Sequence, residues 1–539
     1  MGIKGFSSWL RHTFPDAFTL LVSKPRGLAK SPSVFEQVYV DLNPFLHIAA
    51  RQSTSKEQVW SFCRRQLRSS LLSIARPRSF LCIAMDGVAP LAKLPEQRLR
   101  RQDAAQTAAR RATFDTQQIT PGCVFMTQVE GEIYSLILDL MRNSRNAYFK
   151  KAILDGSGVA GEGEFKLFRR LINDHLQNDF MRQLPPSRIV LASDADSLLQ
   201  AILCDIPNVF ILDPFVNNNG AGYSCFAVDK MRQCLAKSTV NDPLRVRLQC
   251  LDLALFALFS GSDYAPSLKY ANFRSMWPAY MEWHRQSPSL TVSLISKDKK
   301  SINLQRLGEF FTFYLDRVFP SDLLRSLRVS HEELDPLLRK DRIVNYLQRL
   351  VWNMDALITG KVADDAAWES SNETKCQGSD NAAPDAPSLL ELAALATDND
   401  TQELQQILDK RSTVQQNYAV AEDSIPAVAA LMCLVPDSDA ESFIAEPLRP
   451  LLNTSLAMTC ASERAKMLKE AVQAIPMEKF SILERLATFS RPPMAISSNS
   501  NADFMQVSLE SVLSPQTDGC YDDALSNIPW IRPYLCPIQ

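Results

Sequence analysis

The chain is poor in histidine, with five residues in 539, and its twelve cysteines form no CxxC pair and accompany no histidine cluster. Neither a zinc site of ordinary ligand spacing nor a disulfide framework is indicated, and the cysteine usage fits a reducing compartment. No apolar run approaches the roughly 18 residues needed to cross a bilayer. Met1-Gly2-Ile3-Lys4-Gly5-Phe6 also lacks a signal-peptide core and the hydroxyl residue of a myristoylation site. The expectation is a soluble intracellular protein, of cytoplasm or nucleus, with no membrane partner. An excess of either charge is missing too, since 58 Lys and Arg stand against 60 Asp and Glu for a net charge of -2. A polyanion would therefore have to be attracted by local clustering. No internal repeat is present.

What is there is a hydrophobic fraction of 46%, enough for one large core or two moderate ones. Short runs rich in Val, Ile, Leu and Phe recur at Val38 to Leu42, Phe80 to Met85, Ala152 to Leu154, Ile189 to Ala192 and Val209 to Leu212, with helical stretches between them. This alternation predicts an α/β fold with a mostly parallel central sheet flanked by helices. Helical patterning dominates from about Lys230 to Leu357. The stretch 351–388 is rich in Asp, Glu, Ser, Asn and Pro and reads as an acidic insertion or linker. Helices resume over 389–490, an additional mainly helical C-terminal region, and 491–539 reads as an irregular tail.

Acidic residues sit at or just past the apolar runs, and the carboxyl ends of parallel strands share one edge of the sheet, where α/β ligand sites form. Asp41, Asp86, Glu162, Glu164, Asp194, Asp196 and Asp263 are the candidates. Two magnesium ions working on a phosphodiester need about six or seven carboxylates, because each hard cation takes oxygen ligands and the substrate phosphate is itself anionic. Any one of these acids alone is more simply a turn or cap residue. Gathered on one edge, the set would repel unless cations neutralised it.

Between Arg51 and Arg111 basic residues face only Glu57, Asp86, Glu96 and Asp103. Within that stretch Lys93, Gln97, Arg100 and Arg101 stand at i, i+4, i+7 and i+8, one face of a helix. Three cations and an amide in a row can surround a terminal phosphate, although a solvated basic face is the ordinary reading of such a run.

At these residues the chain resembles the 5′-to-3′ exoribonuclease (Xrn) family. The resemblance runs through Met1 to Phe6 with Trp9-Leu10 and Phe14-Pro15, Val40-Asp41-Leu42-Asn43 with His47, and Met85-Asp86-Gly87 with Lys93, Gln97, Arg100 and Arg101. It continues in Ile119-Thr120-Pro121-Gly122, Gly161-Glu162-Gly163-Glu164 with Lys166, Asp194-Ala195-Asp196 and Gly261-Ser262-Asp263-Tyr264. It covers residues 1–350 as a nuclease domain, with weaker similarity to a second conserved region over 389–490. Leu91, Pro44 and Phe165 depart from the family pattern, and the family's aromatic-rich segment is missing or replaced, so Trp352 and Trp368 are only stand-ins for its stacking tryptophan.

The resemblance implies a PIN/FEN-like nuclease core with two Mg2+ ions, for which Mn2+ can substitute. One ion would be held mainly by Asp41, Asp86 and Glu164, the other mainly by Asp194, Asp196 and Asp263, with Glu162 shared or behind them. It implies a 5′-phosphate pocket of Lys93, Gln97, Arg100 and Arg101, and His47 stacked on the first base. Lys166 would bind the scissile phosphate or pair with Glu162. The substrate would be 5′-monophosphorylated single-stranded RNA, released as nucleoside monophosphates, and protein partners would dock on the acidic insertion and C-terminal region. A catalytically weak scaffold that binds RNA 5′ ends and a flap-type structure-specific nuclease are the alternatives.

Overall fold

The computed structural model describes residues 3–21, 33–90, 93, 97–98, 100–101, 113–142, 149–178, 184–217, 222–238, 242–286, 293–295, 301–319, 336–361, 386–398, 400–415, 427–434, 446–451, 467–472, 474–476, 479, 484, 487–488 and 493–497. The strands are β1 (Phe18–Leu21), β2 (Ser33–Asp41), β3 (Ala75–Ala84), β4 (Lys151–Asp155), β5 (Arg188–Leu191), β6 (Val209–Asn217), β7 (Tyr223–Ala227) and β8 (Met494–Ser497). They form one sheet in the order β1-β7-β6-β5-β2-β3-β4-β8. Its centre, β6-β5-β2-β3-β4, is parallel throughout. The outer pairs β1 with β7, β7 with β6, and β8 with β4 are antiparallel. All five expected strands belong to the parallel centre, while the antiparallel margins were not legible as apolar runs.

Both faces of the central strands are covered, which is why their sequences read as continuous apolar runs. Successive side chains nevertheless feed opposite cores. Tyr39, Cys82, Ile153 and Val190 pack in one core, and Val38, Val40, Leu81, Ile83, Ile189 and Leu191 in the other. The first core joins the sheet to α1 (Phe6–Thr13) and to helices that follow β4. Among these is α8 (Pro243–Phe259), buried on nearly all sides from Val246 to Phe259. A helix apolar all round belongs in the middle of a large core. The second core holds α2 (Asn43–Arg51), α3 (Lys56–Ser69) and α4 (Val124–Arg142).

C-terminal elements take part in both the sheet and the second core. Strand β8, within the stretch expected to be an irregular tail, pairs Met494 with Leu154 and Ser497 with Lys151. Helix α14 (Ala427–Leu434) buries Ala429, Leu431, Met432 and Cys433 in the second core. The helix α11 (Pro336–Thr359) runs without a break across residue 350, where a domain boundary was expected. Most of the expected acidic insertion, 362–385 with Trp368, lies outside the described residues, as does the tail beyond 497. Among the described residues no helix is long and apolar enough to cross a membrane.

One helix contact makes a test of this packing. A Cβ at Gly308, in α10 (Leu304–Val318), would lie 2.2 Å from the backbone nitrogen of Ala396 and 2.7 Å from the carbonyl carbon of Leu395, at the end of α12 (Leu389–Ala394). Gly→Ala inside a helix ordinarily stabilises by ~1 kcal/mol. Here the backbone cannot yield as a side chain would, so Gly308→Ala should instead destabilise by ~1–3 kcal/mol, the usual cost of overpacking. A urea midpoint equal to or above that of the parent protein would show that the two helices are not in this close contact.

Candidate active site

The site is assembled at the carboxyl ends of the parallel strands. Asp41 is the last residue of β2 and pairs in register with Ala84, the last residue of β3; Asp86 follows just beyond. Asn43 ties the two acids together. Its backbone N–H donates to Asp41 Oδ1 at 3.2 Å, its side-chain amide donates to Asp86 Oδ2, and its Oδ1 accepts from the Asp86 N–H at 3.1 Å. Gly163 opens α5 (Gly163–Asn178) against the pair and donates its N–H to Asp86 Oδ1 at 2.8 Å. A Cβ there would lie 2.8 Å from Asp41 Oδ1 and 3.3 Å from Asp86 Oδ1, so the glycine is what lets the helix start touch the carboxylates. Glu164 lies in the first turn of that helix, where the exposed N–H groups favour negative charge.

Asp194 and Asp196 enter from the end of β5. Asp194 is the N-cap of α6 (Ala195–Leu203), yet its side chain makes no capping hydrogen bond, which removes the commonest structural explanation for an Asp at that position. Asp263 arrives from the far side of the sheet, just past the end of α8. Gly261, at φ 97°, takes the left-handed conformation that ends the helix there.

Burial and mutual repulsion dominate the electrostatics. Desolvation pushes the Asp41 carboxyl well above its usual range, and Asp86, Asp194 and Glu162 push it further. Glu164 is raised well above the ordinary glutamate value by burial, then by Glu162, Asp86 and Asp41. Asp86 is raised by burial and Glu162, against the pull of the Gly163 N–H and Lys93. Asp196 rises to about 6, through burial and then Asp263. Asp263 goes the other way: burial alone would raise it, but Lys93 and Arg100 hold it below the usual carboxylate value.

The cations are interleaved with the acids. Lys93 Nζ pairs with Glu162 Oε1 and, at 2.8 Å, with Asp263 Oδ2, while Arg100 Nη2 lies 2.9 Å from Asp263 Oδ1. The remaining members of the expected phosphate cup, Gln97 and Arg101, are partly buried. Arg101 is turned to the backbone, donating to the carbonyls of Thr116 at 3.3 Å and Ile119 at 3.0 Å. His47 is held neutral, its pKa lowered to about 3 by burial and then by Arg101 and Arg51. Lys166 differs from the expectation. Its ammonium is buried and donates to the carbonyls of Met85 at 2.9 Å and Gly156 at 2.8 Å, with Asp155 Oδ1 at 3.4 Å. It fastens the strand-end loops together, away from Glu162, as its full desolvation requires.

Residues outside the seven acids and the cationic cup also support the site. Tyr264 donates its hydroxyl to Glu162 Oε2 at 2.8 Å. Trp352, from α11, packs edge-on against the Tyr264 ring at 4.9 Å and is buried, so it braces the tyrosine instead of offering a face to a base. The neighbouring Asn353 donates to Ser262 Oγ at 2.9 Å, and that oxygen accepts the N–H groups of Tyr264 and Ala265. Glu130, on α4, accepts from the Ser157 N–H at 2.8 Å and its hydroxyl at 2.6 Å, locking the loop that Lys166 holds from the other side. The spacing of these residues carries no signal, because each acts across a long sequence separation.

Hard oxygen donors packed until they repel, around a cradle that a single Cβ would fill, are what a divalent cation of the magnesium type accepts. Asp41, Asp86 and Glu164 are oxygen donors packed in this way beside Gly163, and Asp196 is raised by burial and then by Asp263 and Asp194 in the same manner. Among the described residues no three His, Cys, Asp or Glu side chains are closed around one point; amide, hydroxyl and ammonium donors take up carboxylate oxygens between them.

Residues 1–214 match the family described as XRN 5'-3' exonuclease N-terminus. The 5'-3' exoribonuclease 2 homolog of Drosophila melanogaster is 25% identical over 255 residues, which cover 39% of this chain and 28% of that protein. The 5'-3' exoribonuclease 1 of Schizosaccharomyces pombe is 25% identical over 306 residues, covering 50% of this chain and 22% of the relative. That of Saccharomyces cerevisiae is 23% identical over 352 residues, covering 58% and 22%. The chain thus matches about a quarter of the length of these relatives. A solved structure of the catalytic core of Rad2 in complex with DNA substrate is 13% identical, covering 69% of this chain and 95% of that one, at a TM-score of 0.35, too low to bear on substrate.

The repulsion has a measurable consequence. Because the folded-state pKa of Glu164 is raised, the protein loses stability as pH rises from the ordinary carboxylate range through the raised value. Glu164→Gln, which is permanently neutral, should therefore be more stable than the parent protein in EDTA at about pH 8, by ~1 kcal/mol or more, and should lose that advantage below about pH 4. A lower thermal midpoint for the variant at the higher pH would contradict the electrostatic description.

Proposed function

We propose, from the match of residues 1–214 to the XRN 5'-3' exonuclease N-terminus, that the protein is a metal-dependent 5′-to-3′ exoribonuclease. It would act on 5′-monophosphorylated single-stranded RNA and release nucleoside monophosphates. The observation that carries this reading is the meeting of cationic side chains with the acidic set, Lys93 and Arg100 at Glu162 and Asp263. Anchoring a terminal phosphate so near the carboxylates fixes which phosphodiester bond is exposed to them, and positioning of this kind contributes strongly to catalysis.

Two magnesium ions held by Asp41, Asp86 and Glu164 and by Asp194, Asp196 and Asp263 would supply Lewis-acid stabilisation of the charge that develops at phosphorus. The chain's own residues do the rest. Lys93, Gln97 and Arg100 receive the terminal phosphate, whose size excludes a capped or triphosphorylated end. A 5′-hydroxyl end would leave the cup without its anion. Arg101, bonded to the Thr116 and Ile119 carbonyls, contributes its field. His47, kept neutral, offers a flat ring to the first base, and stacking of ~1–3 kcal/mol tolerates any base. Lys166 keeps the strand-end loops in position and lies too deep to touch RNA.

The test compares matched 5′-phosphate and 5′-hydroxyl RNAs and a flapped DNA in Mg2+. Mononucleotides should appear from the phosphorylated RNA alone, and the double variant Asp194→Asn/Asp196→Asn should lower that rate at least about 1000-fold, consistent with loss of metal ligation, while unfolding normally. Binding without turnover would identify a scaffold, and cleavage of the flap would identify a structure-specific DNA nuclease; either result rejects the proposal.

A further inference from the structure

In the cup, Lys93 and Arg100 are already spent on carboxylates. The two oxygens of Asp263 take one cation each, Lys93 Nζ on Oδ2 at 2.8 Å and Arg100 Nη2 on Oδ1 at 2.9 Å. The two oxygens of Glu162 are likewise taken, Oε1 by Lys93 and Oε2 by the Tyr264 hydroxyl. The side chains of Lys93, Glu162 and Asp263 are each only 7% exposed. Arg100 is 33% exposed, and the pairs stand beside further carboxylates, Glu164, Asp86 and Asp196. Inserting a phosphate dianion next to Lys93 and Arg100 would add negative charge to a site already crowded with buried carboxylates and draw away cations that offset it, an arrangement proteins rarely sustain.

We infer that divalent-metal binding and 5′-phosphate binding are energetically coupled, because Lys93 and Arg100 serve as counter-ions to Glu162 and Asp263 until a divalent ion takes over those carboxylates. The inference rests on the proposed phosphate cup and adds to it that each of the two ligands prepares the site for the other. It also assigns Tyr264 a positioning role. By holding Glu162 Oε2, with Trp352 braced behind its ring, Tyr264 leaves Glu162 one oxygen to exchange between Lys93 and a metal. Because coupling between two ligands is reciprocal, a bound 5′-phosphate must tighten metal binding by the same factor by which metal tightens phosphate binding.

The test uses the whole protein and two RNAs of one sequence, ending in 5′-phosphate or 5′-hydroxyl and carrying a non-hydrolysable first linkage. Fluorescence anisotropy in Mg2+ should show a preference for the phosphate end of about tenfold or more, falling to under about threefold in EDTA. The 5′-hydroxyl RNA removes any general effect of Mg2+ on RNA affinity. In the reverse direction, Mg2+ titrated against thermal midpoint should bind more tightly, by the same factor, with the phosphorylated RNA present. Lys93→Met should lose both the preference and its dependence on metal. A preference that is unchanged in EDTA overturns the coupling and leaves the proposed substrate standing. No preference in either condition overturns both, and the release of mononucleotides from phosphorylated RNA reports separately on the proposed activity.

Discussion

The structure depends on keeping like charges together at one edge of a sheet, largely out of water. Each carboxylate there carries a desolvation cost that hydrophobic packing elsewhere has to offset. Local donors limit that cost. Asn43 spans Asp41 and Asp86, the Gly163 N–H points at Asp86, and Lys93 lies between Glu162 and Asp263. What remains is seen in the raised pKa values of Asp41, Asp86, Glu164 and Asp196. Perturbation of this kind marks functional sites because folding alone gives no reason to build it.

The same constraint accounts for the rigidity around the edge. Glu162 is reached from Tyr264, Tyr264 is backed by Trp352, and Asn353 holds Ser262, so α11 is fastened to the acidic loops by two adjacent residues. On the other side Glu130 and Lys166 clamp the 155–157 loop. Buried polar networks of this sort are effective only when their members are satisfied. They hold the charged groups of the edge in fixed positions.

The C-terminal elements extend this framework. Strand β8 lies along β4, whose last residue, Asp155, pairs with Lys166, and α14 fills the second core beneath β2 and β3. The edge of β4 is thereby paired with another strand, which removes a row of open backbone donors and acceptors close to the site. An expected boundary at residue 350 has no counterpart in the packing, since α11 crosses it and reaches the acidic loops from the far side.

The sequence by itself determined the parallel centre of the sheet, because five apolar runs buried on both faces leave a local pattern that needs no partner to be read. It also offered the seven acids and the cationic run as candidates, since a strand end and a helical period are local patterns. Only the tertiary structure decided with whom they pair. Lys93 on Asp263 spans 170 residues, and Tyr264 on Glu162 spans 102. Lys166 and Arg101 had the right charge for a phosphate, but backbone carbonyls of neighbouring loops claim them. The antiparallel margins and β8 escaped for the same reason: a short edge strand is selected by the neighbour that completes its hydrogen bonds, and that neighbour is not written in its own few residues.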